Sequence, residues 1–222
     1  MWCIPPKQNA DFVAKMEDVL ETYALPYDAD YPVICFDEKP YQLLDERREP
    51  IPMKKAKPIR FDNEYERMGT CSIFVTTEPL QGKHYAKARQ RRTAIDYAHY
   101  LDWLVNESPY KSAKGIRLVQ DNLNTHDISS LYKAFSPEKA RAIVRKLEFH
   151  FTPKHGSWLN IAEVVISILE KQCIGRRIPS IEALNAELVA WEANNNANCK
   201  SVNWQFRTED ARVKLKNLYP VF

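Results

Sequence analysis

Apolar positions along the chain follow two periods. Between residues 9 and 24, Phe12, Val13, Met16, Val19, Leu20 and Tyr23 recur at three- and four-residue steps, which predicts an amphipathic helix with Asn9 as its cap. Pro26 and Pro32 end it. Residues 33–37 are a continuous apolar run closing on an acid, the pattern of a strand buried on both faces. Residues 39–69 hold Pro40, Pro50, Pro52 and Pro58 among many charges, with Lys54, Lys55, Lys57 and Arg60 crowded together, so a loop or ribbon inserted between strands is expected. The β-formers of 69–77 predict a strand, 79–82 a turn, and the alternation of 83–89 a strand that closes a hairpin. A helix follows at 93–106, its apolar face made by Ala94, Tyr97, Ala98, Leu101, Leu104 and Val105.

Residues 115–120 read as the next strand, and 128–135 and 137–146 as two short helices, the second opened by Pro137. Leu147, Phe149 and Phe151 alternate with Glu148 and His150 as a short strand. A loop at 152–157, helices at 158–172 and 180–195, and a basic amphipathic helix at 207–218 complete the order. Three early antiparallel strands, followed by strands reached through helical crossovers, make a mixed α/β sheet flanked by helices.

Three acids stand out against this pattern. Asp37 and Asp121 each close a predicted strand; as parallel neighbours, those strands would bring both acids to the crevice at the carboxyl edge of the sheet. Glu163 flanks the stripe Leu159, Ala162, Ile166 and Leu169, on the same side as Asn160 and Ser167. Carboxylates set against a hydrophobic core are costly unless something positive binds them. Hard oxygen donors suit Mg2+ or Mn2+, and two such ions about 3.5–4 Å apart serve phosphoryl transfer. Each acid also has a plainer reading, a turn or helix cap for the aspartates and a solvated helix face for Glu163. Spacing does not decide between them.

Composition adds exclusions. The chain has 222 residues, 45% hydrophobic and 27% charged, which is ordinary globular content for one large domain or a domain with appendages. Five scattered cysteines without a CxxC pair argue against zinc and for a reducing, intracellular setting. No apolar run is long enough to span a membrane, and the opening Met-Trp-Cys-Ile-Pro-Pro lacks the regions of a signal peptide. With five glycines and no Gly-rich loop, a nucleotide-binding site is a poor fit. The net charge of +3 is mild, yet Lys83, Lys87, Arg89, Arg91 and Arg92 fall within ten residues without an acid. That run suits phosphate contacts or, equally in kind, a charge-protected strand edge. Lys154 and His155 precede Glu163. Asn122 and Asn124 either orient Asp121 or stabilise its turn; His126 steadies the site, contacts a phosphate, or is structural.

The strings around the acids are more specific. Phe36-Asp37-Glu38, Gln120-Asp-Asn-Leu-Asn-Thr-His126 and Thr152-Pro-Lys-His-Gly-Ser-Trp-Leu-Asn-Ile-Ala-Glu163 resemble the three signature blocks of DDE transposases, in the bacterial insertion-sequence branch of the mariner-like superfamily. Tyr65-Glu-Arg-Met-Gly, Arg91-Arg-Thr-Ala and the ending from Phe206 support the resemblance, which spans nearly the whole chain. It implies an RNase H-like, retroviral-integrase-like fold and cleavage and strand transfer at transposon ends with two Mg2+ or Mn2+ ions. Double-stranded DNA and a homodimer are the implied partners, and the bacterial cytoplasm, at the nucleoid, the implied location.

By matching blocks, Asp37, Asp121 and Glu163 become catalytic metal ligands supported by Asn122, Asn124, His126 and Asn160. Lys83, Lys87, Arg89, Arg91, Arg92, Lys154 and His155 become candidate DNA contacts. The expected organisation is a linker helix at 1–30, a catalytic core at 31–178 with 39–69 inserted, and C-terminal helices at 179–222 packing on it. The separation of Asp121 and Glu163 is somewhat longer than usual for the superfamily, and 128–146 house the extra helix. Family members usually carry an N-terminal helix-turn-helix region, whereas this chain opens just before the catalytic blocks. A truncated copy, one frame of a split element, or an isolated domain is therefore expected. The alternative functions are a non-catalytic DNA-binding or oligomerisation remnant and a simple metal-dependent nuclease. A carboxylate-pair glycosidase explains neither the third acid nor the basic hairpin.

Overall fold

In the computed structural model, which describes residues 7–220, five strands form one sheet in the order β3-β2-β1-β4-β5. The strands are β1 (Val33–Glu46), β2 (Tyr65–Glu78), β3 (Lys83–Arg89), β4 (Ile116–Gln120) and β5 (Leu147–Phe151). β1–β2 and β2–β3 are antiparallel; β1–β4 and β4–β5 are parallel. The helices are α1 (Ala10–Ala24), α2 (Ala94–Asn106), α3 (Ser129–Ala134), α4 (Pro137–Val144), α5 (Ile161–Leu169), α6 (Ile181–Asn198) and α7 (Thr208–Lys214). The opening string at 1–6, including Cys3, lies outside the described residues.

The first strand corrects one expectation. β1 does not stop at Asp37 but runs on to Glu46, paired with β2 from Cys35↔Thr77 to Glu46↔Tyr65. Both flanks of the expected ribbon at 39–69 are thus strands of a long hairpin arm, and the irregular part is its tip, 47–64. Pro40 fits within β1 because that strand pairs with β4 only over Val33–Cys35, and a strand with one unpaired side tolerates proline. The predicted helix at 158–172 is also shorter, with a 3-10 turn at Ser157–Leu159 before α5 and a π segment at Glu170–Ile174 after it.

Alternation along the strands divides the core. Ile34, Phe36, Phe74 and Leu118 face α2–α4, meeting Tyr97, Leu101, Leu104, Leu131 and Ile143. Val33, Cys35 and Val119 face the opposite way, onto Phe12, Met16, Val19 and Leu20 of α1 and onto Leu159, Ile161 and Ala162. Further along that face, Ile73, Val75 and Ala86 pack on Val165 and Leu169 of α5 and on Leu184, Leu188 and Trp191 of α6. The N-terminal helix expected as a linker is therefore built into the core. Cys35 and Cys71 are buried among these side chains, as small core residues should be.

The outer edge of β3 is closed by side chains of α6. The backbone N–H groups of His84, Ala86 and Ala88 donate to Asn196 Oδ1 (2.8 Å), Glu192 Oε1 (2.5 Å) and Asn185 Oδ1 (2.9 Å). The amides of Asn196 and Asn185 return bonds to the His84 and Ala88 carbonyls, at 2.8 and 3.3 Å. The base of the hairpin arm is also anchored. Arg177 Nη1 bonds Glu46 Oε2 (2.5 Å), and Nη2 donates to the Asp62 carbonyl (2.8 Å). Its neighbour Arg176 instead donates to the Cys173 carbonyl at the end of the preceding helical segment.

Candidate active site

The last pair between β1 and β4 is Cys35↔Val119. Beyond it the two strands part, and Asp37 and Asp121, each two residues further on, flank the notch that opens. Asp37 thus occupies a divergence within the sheet rather than a strand end. By alternation its side chain shares the face of Cys35, toward α5, while Glu38 lies on the α2 face with Phe36.

Glu163 sits in the first turn of α5. Asn160 caps that helix by accepting from the Ala162 N–H (3.1 Å), and its own amide donates 2.8 Å to the Phe36 carbonyl, immediately before Asp37. One buried side chain thereby fixes the start of α5 to β1. From α1, the Tyr23 hydroxyl donates to the Leu159 carbonyl (2.8 Å) and accepts from the Ile161 N–H (3.3 Å).

The loop after β4 is held from beneath. Gln120 is fully buried, accepts from the Tyr97 hydroxyl (2.7 Å) and donates to the His126 carbonyl (3.3 Å). The His126 ring lies 4.7 Å from Tyr97 and 5.3 Å from Phe36, centroid to centroid. Its Nδ1 is 2.5 Å from Asp121 Oδ1, and its Nε2 is 3.3 Å from Glu38 Oε1. Burial opposes charging this imidazole, yet the hydrogen bonds and charges of Asp121 and Glu38 prevail and push its pKa up to about 9. As an imidazolium it donates to both carboxylates and neutralises part of a strongly acidic locale.

Asp37 shows that the three acids share that locale. Burial raises its pKa, the Glu38 N–H (2.7 Å) draws it down, and the charges of Asp121 and Glu163 raise it further, to about 7. Sequence reading missed Tyr23, Gln120 and the role of Glu38. The last two lie inside the quoted blocks, where alternation assigns them to the buried α2 face.

The other predicted residues spread wider. Asn122 and Asn124 are exposed, and neither hydrogen-bonds Asp121; with Arg92, Leu123 and Thr125 they line a cleft of about 340 Å³. Lys83 turns away to the Asn196 carbonyl (3.0 Å) at the end of α6. Lys87 and Arg89 line a different cleft, and Arg91 and Arg92 are exposed between the two. Lys154 and His155 are exposed on the turn before α5, His155 in the left-handed region at φ 64°.

Among the described residues, no three His, Cys, Asp or Glu side chains close into a group that could hold a metal ion. The acids fit one in chemistry: all are hard oxygen donors, and the charge repulsion felt by Asp37 is what a bound cation would relieve. A pH dependence follows. The folded-state pKa of Asp37 is raised from 3.8 to about 7, so folding favours its protonated form. Its contribution to stability is complete below pH 3.8 and is lost as pH rises toward about 7. Thermal melts without metal should therefore show stability falling across that window, and Asp37→Asn should flatten the slope. Mg2+ should raise the melting temperature more at pH 7.5 than at pH 5; equal shifts at both would refute the coupling.

Comparison with known proteins places the fold and the family. The solved structure of the Mos1 mariner paired-end complex with Mn superposes with a TM-score of 0.56 at 14% identity, covering 98% of this chain and 62% of that one. The Mos1 strand transfer complex gives 0.57 at 14%, covering 87% and 57%. The Mos1 transposase paired-end complex with the left transposon end gives 0.58 at 14%, covering 99% and 66%. The chain thus spans about three fifths of the length of these solved relatives, and at such identity the likeness establishes the fold, an RNase H-like mixed sheet flanked by helices. No curated protein matches the sequence. A family model described as "DDE superfamily endonuclease" matches residues 32–185, which include all three acids. The chain belongs to this family of DDE endonucleases.

Proposed function

We propose that this chain is the catalytic core of a transposase of the bacterial insertion-sequence branch, which cleaves DNA at transposon ends and joins the freed 3′ hydroxyl to target DNA. The observation that carries this reading is the notch where the charges of Asp121 and Glu163 raise the cost of ionising Asp37 beside a fixed imidazole. Asp37, Asp121 and Glu163 would hold two Mg2+ or Mn2+ ions. Such ions, when bound, activate the attacking oxygen and stabilise the leaving one.

The chain's own work is positioning. His126 holds one oxygen of Asp121, leaving the other free, and its buried ring prevents the carboxylate from swinging away. Asn160 and Tyr23 set where Glu163 stands relative to Asp37. Rigid placement of reacting groups is the main protein contribution in phosphoryl transfer. Arg91, Arg92, Lys154 and His155 would bind the DNA backbone around the notch.

The proposed assembly is a homodimer acting in the cytoplasm at the nucleoid. Its support is the arm, whose tip exposes Ile51, Met53, Ile59 and Phe61 at 61, 75, 46 and 58%, more apolar surface than an isolated tip needs. No helix among the described residues is long and apolar enough to cross a membrane.

The test is an assay of the purified chain on a labelled DNA duplex with Mg2+ or Mn2+, scoring nicks and joined products separately. Nicking followed by joining is expected. Cleavage without joining would leave a nuclease; duplex binding without cleavage under either ion would leave a non-catalytic remnant.

A further inference from the structure

β3 leaves part of the α2 face of the sheet uncovered. Phe74 and Thr76 of β2 and Tyr85, Lys87 and Arg89 of β3 project there in register, forming the floor of a cleft of about 350 Å³. Trp103 of α2 and Val189 of α6 stand on opposite sides. The size suits one small planar group.

The lining is aromatic and cationic together. Tyr85 and Trp103 meet edge to face at 6.2 Å. The Arg89 guanidinium lies 5.3 Å over the Phe74 ring, and its buried Nε has no hydrogen-bond partner among the described residues. Neither Lys87 nor Arg89 forms a salt bridge among the described residues. The acid at the rim, Glu192, is engaged by the Ala86 N–H at 2.5 Å. Stacking surface and unpaired cations in one cleft recognise a ring joined to an anion, which is the chemistry of a nucleotide.

The cleft lies on the α2 face with Glu38, the register partner of Phe74, whereas Asp37 faces α5, so its link to the notch is the segment that follows β3. From Arg89 the chain continues through exposed Arg91 to Arg92, which borders the loop that begins at Asp121. We propose that this cleft is a subsite for a single unstacked base of a DNA strand that leaves the carboxylate notch along Arg92 and Arg91. The aromatic rings take the face of the base, and Lys87 and Arg89 take its flanking phosphates. This subsite rests on the DNA-processing reading above, and it is sequence-tolerant because every base has a stacking face.

The test measures binding without metal, so that a failure of catalysis does not confuse it. A short single-stranded oligonucleotide is titrated into the full chain while tryptophan fluorescence is followed. Binding with quenching is expected. Val189→Glu, at a rim position that is 64% exposed, and Lys87→Glu, at an exposed side chain, should each weaken it by roughly tenfold or more without altering the melting temperature. Moving one abasic site along the oligonucleotide should produce a similar loss at a single position. Asp121→Asn should bind like the parent even though it fails to cleave. If the abasic series binds as tightly as the intact strand, or both variants bind like the parent, the subsite is refuted while the carboxylate reading stands.

Discussion

Asp121→Asn and Glu163→Gln are each expected to lower metal-dependent DNA cleavage by roughly a thousandfold or more, since removing a metal-ligand charge forfeits several kcal/mol of transition-state stabilisation. The two should differ in stability. Asp121→Asn removes the carboxylate that pairs with the His126 imidazolium at 2.5 Å, so a buried cation keeps only Glu38. Glu163→Gln removes a charge whose effect on Asp37 is repulsion and that makes no salt bridge among the described residues. Without metal, Glu163→Gln should therefore melt at or above the parent and Asp121→Asn below it. Nicking rates under Mg2+ and Mn2+, read beside thermal melts, check both statements. Nicking by either variant at the parent rate would reject the assignment of the acids.

Phe36→Ala is expected to cost about 3–5 kcal/mol, the usual range for an aromatic side chain deleted from a packed core. Phe36 is fully buried, stacks on Tyr100 at 4.1 Å and meets Phe74 at 5.5 Å and His126 at 5.3 Å. Such a loss is a large fraction of the roughly 5–15 kcal/mol that holds a typical domain folded. It also reaches the site, because the ring supports His126. Urea unfolding should show the midpoint moving strongly, with Phe36→Leu recovering most of the difference. A cost below about 1 kcal/mol would mean that the aromatic cluster does not bear the load its packing implies.

Much of this architecture was legible because period-2 and period-3.6 patterns were clean. The stripe of α5, the hairpin from β2 to β3 and the short β5 all follow from them. The outer half of β1 was obscured by Pro40 and by charges, since a strand with water on one side loses the continuous apolar signature. The candidate acids were legible through their flanking strings more than through spacing. What held them in place was less so. Tyr23 meets Leu159 across 136 positions and Asn160 meets Phe36 across 124, and no local pattern encodes such contacts. His126 had three open roles, and only its placement between two carboxylates separates them. Asn185 and Asn196 resembled an ordinary polar helix surface, because pairing with a strand edge leaves no periodic mark.

Those two asparagines bear on how copies of the chain can meet. A bare edge invites the backbone of any extended neighbour, with little regard for its side chains. Here the β3 edge is already satisfied by a helix of the same molecule. Recruitment there is denied to strangers, and the proposed homodimer would form at surfaces such as the arm tip, where shape and side-chain identity decide the partner. For a protein that would work in a large excess of other chains and only with its own kind, that substitution converts a promiscuous edge into selectivity.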